Sequence, residues 1–103
     1  MPDEDGHPSL EELDLRTVLS ALSDPLRYGV VAALLREPED AARTCASFNL
    51  PVSKSTTTHH FKILREAGLV RQVDRGNSRA ATLRRADLDK RFPGLLDLIS
   101  ANS

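Results

Sequence analysis

The chain has a single cysteine, Cys45, which excludes an internal disulfide framework. It has no apolar run near the ~18 residues of a membrane span. It has no glycine-rich phosphate loop, and no Cys–His or Ser–His–Asp set is identifiable, so no enzymatic activity is expected. Repeats and low-complexity segments are also missing. The opening residues, MPDEDGHPS, are acidic and polar, unlike a signal or transit peptide, which leads to the expectation of a cytoplasmic protein. A length of 103 residues fits one domain with a small core, for which partner surface is a plausible source of added stability.

The net charge of −1 hides a strong split. Residues 1–53 carry ten acids against four arginines, whereas residues 54–91 carry ten Lys or Arg against four acids. Phosphate attraction acts locally, over a Debye length of about 8 Å, so a basic half matters more than the near-neutral total. A solvated basic surface would give the same split. The motifs in that half have to decide between the two.

Residues 1–8, with Gly6 and two prolines, read as a flexible tail ahead of a folded domain at 9–103. Ser9 and Glu12 have capping-box spacing, and Leu10, Leu13, Val18, Leu19 and Leu22 recur at near-helical spacing, which predicts a first helix over 10–22. Leu15 lies off that stripe. Asp24 is a good N-cap and Pro25 fits the first helical position, which predicts a strongly apolar helix over 25–36. Pro38 ends it. Residues 39–47 suit a short third helix, and Phe48–Val52 a turn in which Asn49 tolerates unusual backbone. Ser53 caps a fourth helix to Ala67, which Gly68 closes. Leu69–Asp74 and Arg79–Arg84 read as strands around an Arg75-Gly76-Asn77-Ser78 turn. Residues 88–99 are again helical, interrupted at Phe92-Pro93-Gly94. The fold class is therefore mainly α (α+β), with about five helices and a two-stranded hairpin.

On the fourth helix Thr57, Phe61 and Leu64 share one face and should point inward, leaving Lys54, Ser55, Thr58, His59 and Lys62 outward. A polar helix followed by an arginine-tipped ribbon has the layout of a recognition helix and a wing. Two segments strengthen this reading. Ala21-Leu22-Ser23-Asp24-Pro25-Leu26-Arg27 resembles the "ALSDPTR" entry to the second helix of the arsenic-repressor (ArsR-type) family. Ser55-Thr56-Thr57-Thr58-His59-His60-Phe61-Lys62-Ile63-Leu64-Arg65-Glu66-Ala67-Gly68-Leu69-Val70 resembles that family's "STVSHHLKVLREAGLV". The match spans about residues 10–84. It implies a winged helix-turn-helix transcriptional regulator, one of a family of mostly bacterial dimeric repressors. In that family the fourth helix enters the major groove, the wing touches the DNA backbone, and the first and last helices form the dimer. An effector usually releases the DNA.

The sequence departs from the family at two places. Asn49-Leu50-Pro51-Val52-Ser53 is longer than the usual Gly-Leu-Ser turn. Where founding members carry a Cys-x-Cys-type metal pair, this chain has Cys45 alone, and its terminal helix lacks His. His59 and His60 are adjacent, about 100° apart on a helix, which does not suit a metal pair. His60 reads as a partly buried structural residue, and His7 falls in the loose tail. No metal and no cofactor is expected. Cys45 lacks an evident activating cation and reads as a small buried hydrophobe, not a redox sensor.

The expected partner is double-stranded DNA. Its candidate contacts are Lys54, Ser55, Thr56, Thr58, His59 and Lys62 on the helix and Arg75, Asn77 and Arg79 on the ribbon. A winged helix serving only protein interaction would need an apolar or acidic face, and this one is basic and hydroxyl-rich. The expected homodimer would use Leu13, Val18, Leu22, Leu95, Leu96, Leu98 and Ile99, read as more apolar surface than a small monomer can cover.

Overall fold

The computed structural model describes Asp3, residues 5–39 and residues 41–103. Five helices and a three-stranded antiparallel sheet follow in the order α1 (Leu15–Leu22), α2 (Pro25–Arg36), β1 (Arg43–Thr44), α3 (Lys54–Ala67), β2 (Val70–Asp74), β3 (Arg79–Leu83), α4 (Arg85–Arg91) and α5 (Leu95–Ala101). The sheet order is β1-β3-β2, so β3 lies between the other two. Among the described residues, no single helix is long and apolar enough to cross a membrane.

α2 is central because its sequence is apolar almost all round. Val30, Val31 and Leu34 are buried, and the helix packs on α1, α3, α5 and β3. Its start follows from Asp24, whose carboxylate accepts from the backbone N–H groups of Leu26 and Arg27 at 2.9 and 3.1 Å. These bonds, Arg27's first, hold the Asp24 carboxyl below its ordinary pKa. At the other end Arg85 of α4 donates to the carbonyls of Leu34 and Glu37, satisfying acceptors the helix leaves open. Phe61 and Leu64 of α3 complete the core with Leu69, Val70, Leu83, Leu88, Leu96 and Ile99.

The first helix begins later than the spacing predicts. Leu10–Glu12 forms only a 3-10 turn, in which Ser9 N–H donates to Glu12 Oε1 at 2.8 Å. Asp14 then caps α1, accepting from both the N–H and the hydroxyl of Thr17. Two capping signals, Ser9 and Asp14, stand five residues apart, and the second starts the α-helix.

The helix predicted over 39–47 is corrected (Asp40 lies outside the described residues). Arg43 and Thr44 are extended and pair with Ala81 and Ala80. Only Cys45–Phe48 turns, as a 3-10 helix. The count of five helices survives because the segment around Phe92-Pro93-Gly94 divides into α4 and α5, with α4 starting at Arg85.

The tail reading is corrected for His7 and Pro8. His7 is 5% exposed and accepts the Gln72 N–H through Nε2 at 3.0 Å, and the Pro8 carbonyl accepts from Arg84 Nη1 at 2.8 Å. Met1, Pro2 and Glu4 of that segment lie outside the described residues.

The proposed dimer surface is corrected as well. Leu13, Val18, Leu22, Leu96 and Ile99 are all buried within the chain's own core. Leu95 is half-buried against that core, so of the seven only Leu98 is exposed. Folding consumes Leu13, Val18 and Leu22 of the first stripe, whereas Leu19 of that stripe and Leu15 off it are left outside, 49% and 44% exposed.

Candidate nucleic-acid interface

α3 begins where Ser53 Oγ accepts the Thr56 N–H at 3.1 Å and ends at Gly68, whose φ of +86° is left-handed. Its inner face, Phe61 and Leu64 with Thr57 partly covered, fixes the helix's rotation about its axis. Two further contacts orient it. Phe48 of the preceding turn packs on Phe61 with ring centroids 5.6 Å apart, and the Arg43 guanidinium covers the Phe48 ring at 4.1 Å. Asn49 closes that turn with a φ of +49°, a left-handed conformation that Asn tolerates better than most residues. The long turn is therefore a short 3-10 helix, an αL asparagine and a bend at Pro51 and Val52, where the Val52 N–H donates to the Leu50 carbonyl at 2.8 Å.

Lys54, Ser55, Thr56, Thr58, His59 and Lys62 are all exposed. Lys54, Thr58 and Lys62 follow one another at four-residue spacing and form a single strip. Ser55 and His59 flank it. Thr56 lies about 200° round the helix from Lys54, off the strip. Its hydroxyl instead accepts from Ser53 Oγ at 2.9 Å. Thr58 donates its hydroxyl to the Lys54 carbonyl at 3.0 Å, so what it presents outward is a methyl group and oxygen lone pairs. That surface suits a thymine methyl, or an amino donor on adenine or cytosine.

The wing turns at Gly76, with φ +91°, held by Gly76 N–H to Asp74 Oδ1 at 2.9 Å and Arg75 N–H to the Ser78 carbonyl at 2.8 Å. Arg75, Asn77 and Arg79 are exposed on it. A cleft of about 760 Å³ runs between α3 and the wing, and it brings together Lys54, Thr58 and Lys62 with Asn77 and Arg79. Ser55, Thr56, His59 and Arg75 lie outside its lining. Among the described residues, none of Lys54, Lys62, Arg75 and Arg79 is ion-paired, so these charges are available to phosphate.

The cleft floor joins Cys45 to two residues without a role in the sequence pattern, Arg65 and Gln72. Arg65 Nη1 donates to Gln72 Oε1 at 2.6 Å, and Gln72 Nε2 donates to Cys45 Sγ at 3.4 Å. Strand alternation carries the signal for Gln72, since Val70 faces inward and the residue two further on must do the same. Cys45 is half-buried, and burial pushes its thiol pKa up, which opposes thiolate formation. His60 is buried behind the strip, where its Nδ1 accepts from Arg27 Nη1 at 3.1 Å.

Among the described residues, Asp3, Asp5 and His7 could bring three ligand atoms together. His7 Nε2 is occupied as an acceptor, so the ring proton sits on Nδ1, 3.1 Å from Asp3 Oδ2. In that tautomer Nδ1 donates to the Asp3 carboxylate.

A helix-turn-helix with an outward cationic strip, joined to a hairpin whose arginines have no ion-pair partner among the described residues, defines a winged-helix DNA-binding protein. A family model described as "Helix-turn-helix domain" matches residues 22–73. An ArsR-like transcriptional regulator from Rhodococcus sp. RHA1 is 31% identical, covering 85% of this chain and 80% of its own, with a TM-score of 0.61. A crystal structure of an ArsR family transcriptional regulator gives a TM-score of 0.66 at 20% identity, over 82% of this chain and 90% of that one. The transcriptional repressor BigR from Xylella fastidiosa gives 0.63 at 20% identity, over 84% and 80%. The curated proteins contain no match to the sequence. The chain belongs to the ArsR-type family of winged helix-turn-helix transcriptional regulators.

Proposed function

We propose that the protein is a cytoplasmic repressor that binds an inverted repeat as a homodimer. Each protomer places α3 in a major groove and the wing along the adjoining backbone. The observation that carries this reading is the α3 strip of Lys54, Thr58 and Lys62, which shares one cleft with Asn77 and Arg79 of the wing while its charges have no ion-pair partner among the described residues. Lys54 and Thr58 read bases, with Ser55, His59 and Lys62 beside them. Arg75, Asn77 and Arg79 hold phosphate or the minor groove. Thr56 contributes through the helix start, since its hydroxyl is engaged with Ser53.

Leu15 and Leu19 on α1 and Leu98 on α5 are the exposed leucines that support a dimer through the first and last helices. A two-fold dimer reads two half-sites related by its own axis, and occupancy of such a site blocks a promoter. The effector is not a metal on this reading, because the sequence has Cys45 alone where founding members carry a Cys-x-Cys-type pair, and its terminal helix lacks His.

Selection of DNA fragments from a random pool by the purified protein tests the proposal. The expected product is a two-fold symmetric site with half-sites about one helical turn apart. Recovery of no preferred sequence, or of an asymmetric single site, overturns it.

A further inference from the structure

A buried polar chain runs from the N-terminal segment, through the wing, to the recognition helix. β2 is an edge strand, and the Gln72 N–H on it donates to His7 Nε2 at 3.0 Å. The Gln72 side chain reaches the other way, accepting from Arg65 of α3 and donating to Cys45 in the turn before α3. One residue, itself 7% exposed, thus joins wing, recognition helix and helix-turn-helix turn.

His7 is held in place by its own segment. Asp3 accepts from the His7 N–H at 2.8 Å and the Asp5 N–H at 3.0 Å, and faces His7 Nδ1. Gly6 lies against Arg65 and Glu66 of α3, and Pro8 is tied to Arg84. The strap therefore touches α3, β2 and the start of α4 at once.

We propose that His7 and Gln72 are positioning residues for DNA recognition, and that protonation of His7 releases the wing from the strap and lowers DNA affinity. This rests on the reading that α3 and the wing grip DNA together. An imidazolium carries a proton on each ring nitrogen, so Nε2 would face the Gln72 N–H donor to donor. The edge-strand N–H would lose its acceptor in a buried place, and the β2 end of the Gln72–Arg65 link would loosen.

Charges of both signs surround His7. Asp3 and Asp5 face it from its own segment. Arg71 of β2 and Arg84 at the start of α4 face it from the other side, and Asp87 of α4 is paired with Arg84. Arg65 and Glu66 of α3 approach the strap at Gly6 with opposite signs. Backbone hydrogen bonding, first from His7, holds the Asp3 carboxyl below its ordinary pKa, so it stays charged as the pH falls through the histidine range.

The test compares wild type, His7→Gln and His7→Ala between about pH 8 and about pH 5.5, a span that covers histidine titration. His7→Gln keeps an acceptor for the Gln72 N–H that cannot titrate. The affinity of wild type for its selected site should fall relative to His7→Gln by roughly fivefold to tenfold on acidification. His7→Ala should be weaker than wild type at the alkaline end. Comparison within this set cancels every contribution the three proteins share, those of His59 and His60 included. In the free protein, the Gln72 amide resonance should move with the His7 ring nitrogens in wild type and stay fixed in His7→Gln. Parallel pH profiles for wild type and His7→Gln, or a Gln72 amide indifferent to His7 titration, overturn the proposal alone. Failure of wild type to prefer any site at about pH 8 overturns the DNA-face reading and the proposal with it.

Discussion

Arg27 of α2 donates from Nη1 to His60 Nδ1 on α3 over 3.1 Å, while its Nε donates to the Ala21 carbonyl at 2.8 Å. The two sequence blocks that carry the family resemblance are therefore physically joined. Arg27→Ala removes both bonds and leaves His60 buried without its donor. A loss of ~1–3 kcal/mol in stability is expected, read by urea denaturation. Arg27→Lys should recover little of it, because one ammonium cannot reproduce the fork that spans both acceptors.

Leu13 and Gly68 are matched in a similar way. A Cβ on Gly68 would stand 2.1 Å from Leu13 Cδ2, and the residue's φ of +86° disfavours any side chain. Gly68→Ala should lower stability by roughly 1–3 kcal/mol, from backbone strain together with overpacking. In the Leu13→Ala background the clash is gone, so the same substitution should cost measurably less. Equal costs in both backgrounds would contradict the packing described.

Cys45 gives a prediction on the alkaline side. Burial raises its folded pKa above the unfolded value. The thiol's contribution to stability is then fully present below the unfolded pKa and is lost as pH rises through the folded one. Wild type should lose stability in that window more than Cys45→Ser, by thermal melts across pH. Operator binding near neutral pH should be unchanged by Cys45→Ser, since a hydroxyl still accepts from Gln72.

The assembly prediction separates surface from core. Leu19→Glu and Leu98→Glu alter exposed side chains and should give folded monomers in sedimentation, with operator affinity sharply reduced. Val18→Glu, at a fully buried neighbour of Leu19, should unfold the chain outright. A dimer undisturbed by either exposed substitution would contradict the interface.

The parts of this fold legible in the sequence are those fixed locally. Ser53, Gly68, Asp24 and Pro25 set helix ends through hydrogen bonds and backbone preferences within a few residues, and all act where their chemistry places them. The exposed strip of α3 follows from helical spacing alone. What escaped the sequence was set at a distance. Arg43 and Thr44 are extended because Ala81 and Ala80, far along the chain, supply their pairing. His7 is ordered because β2 offers it a donor 65 residues away. The leucines of α1 show the same limit, since periodicity identifies an apolar face but not whether the chain or a partner covers it.

The central claim is that α3 reads bases while the wing holds backbone. The most direct measurement is the affinity of Lys54→Ala, Thr58→Ala and Arg79→Ala for the selected site and for random DNA, across a salt series. Lys54→Ala and Thr58→Ala should each cost ~1–3 kcal/mol on the selected site and less on random DNA. Arg79→Ala should weaken both alike and reduce the salt slope by about one. Wild-type affinity in all three variants, or equal losses on both DNAs for Lys54→Ala and Thr58→Ala, would contradict the account.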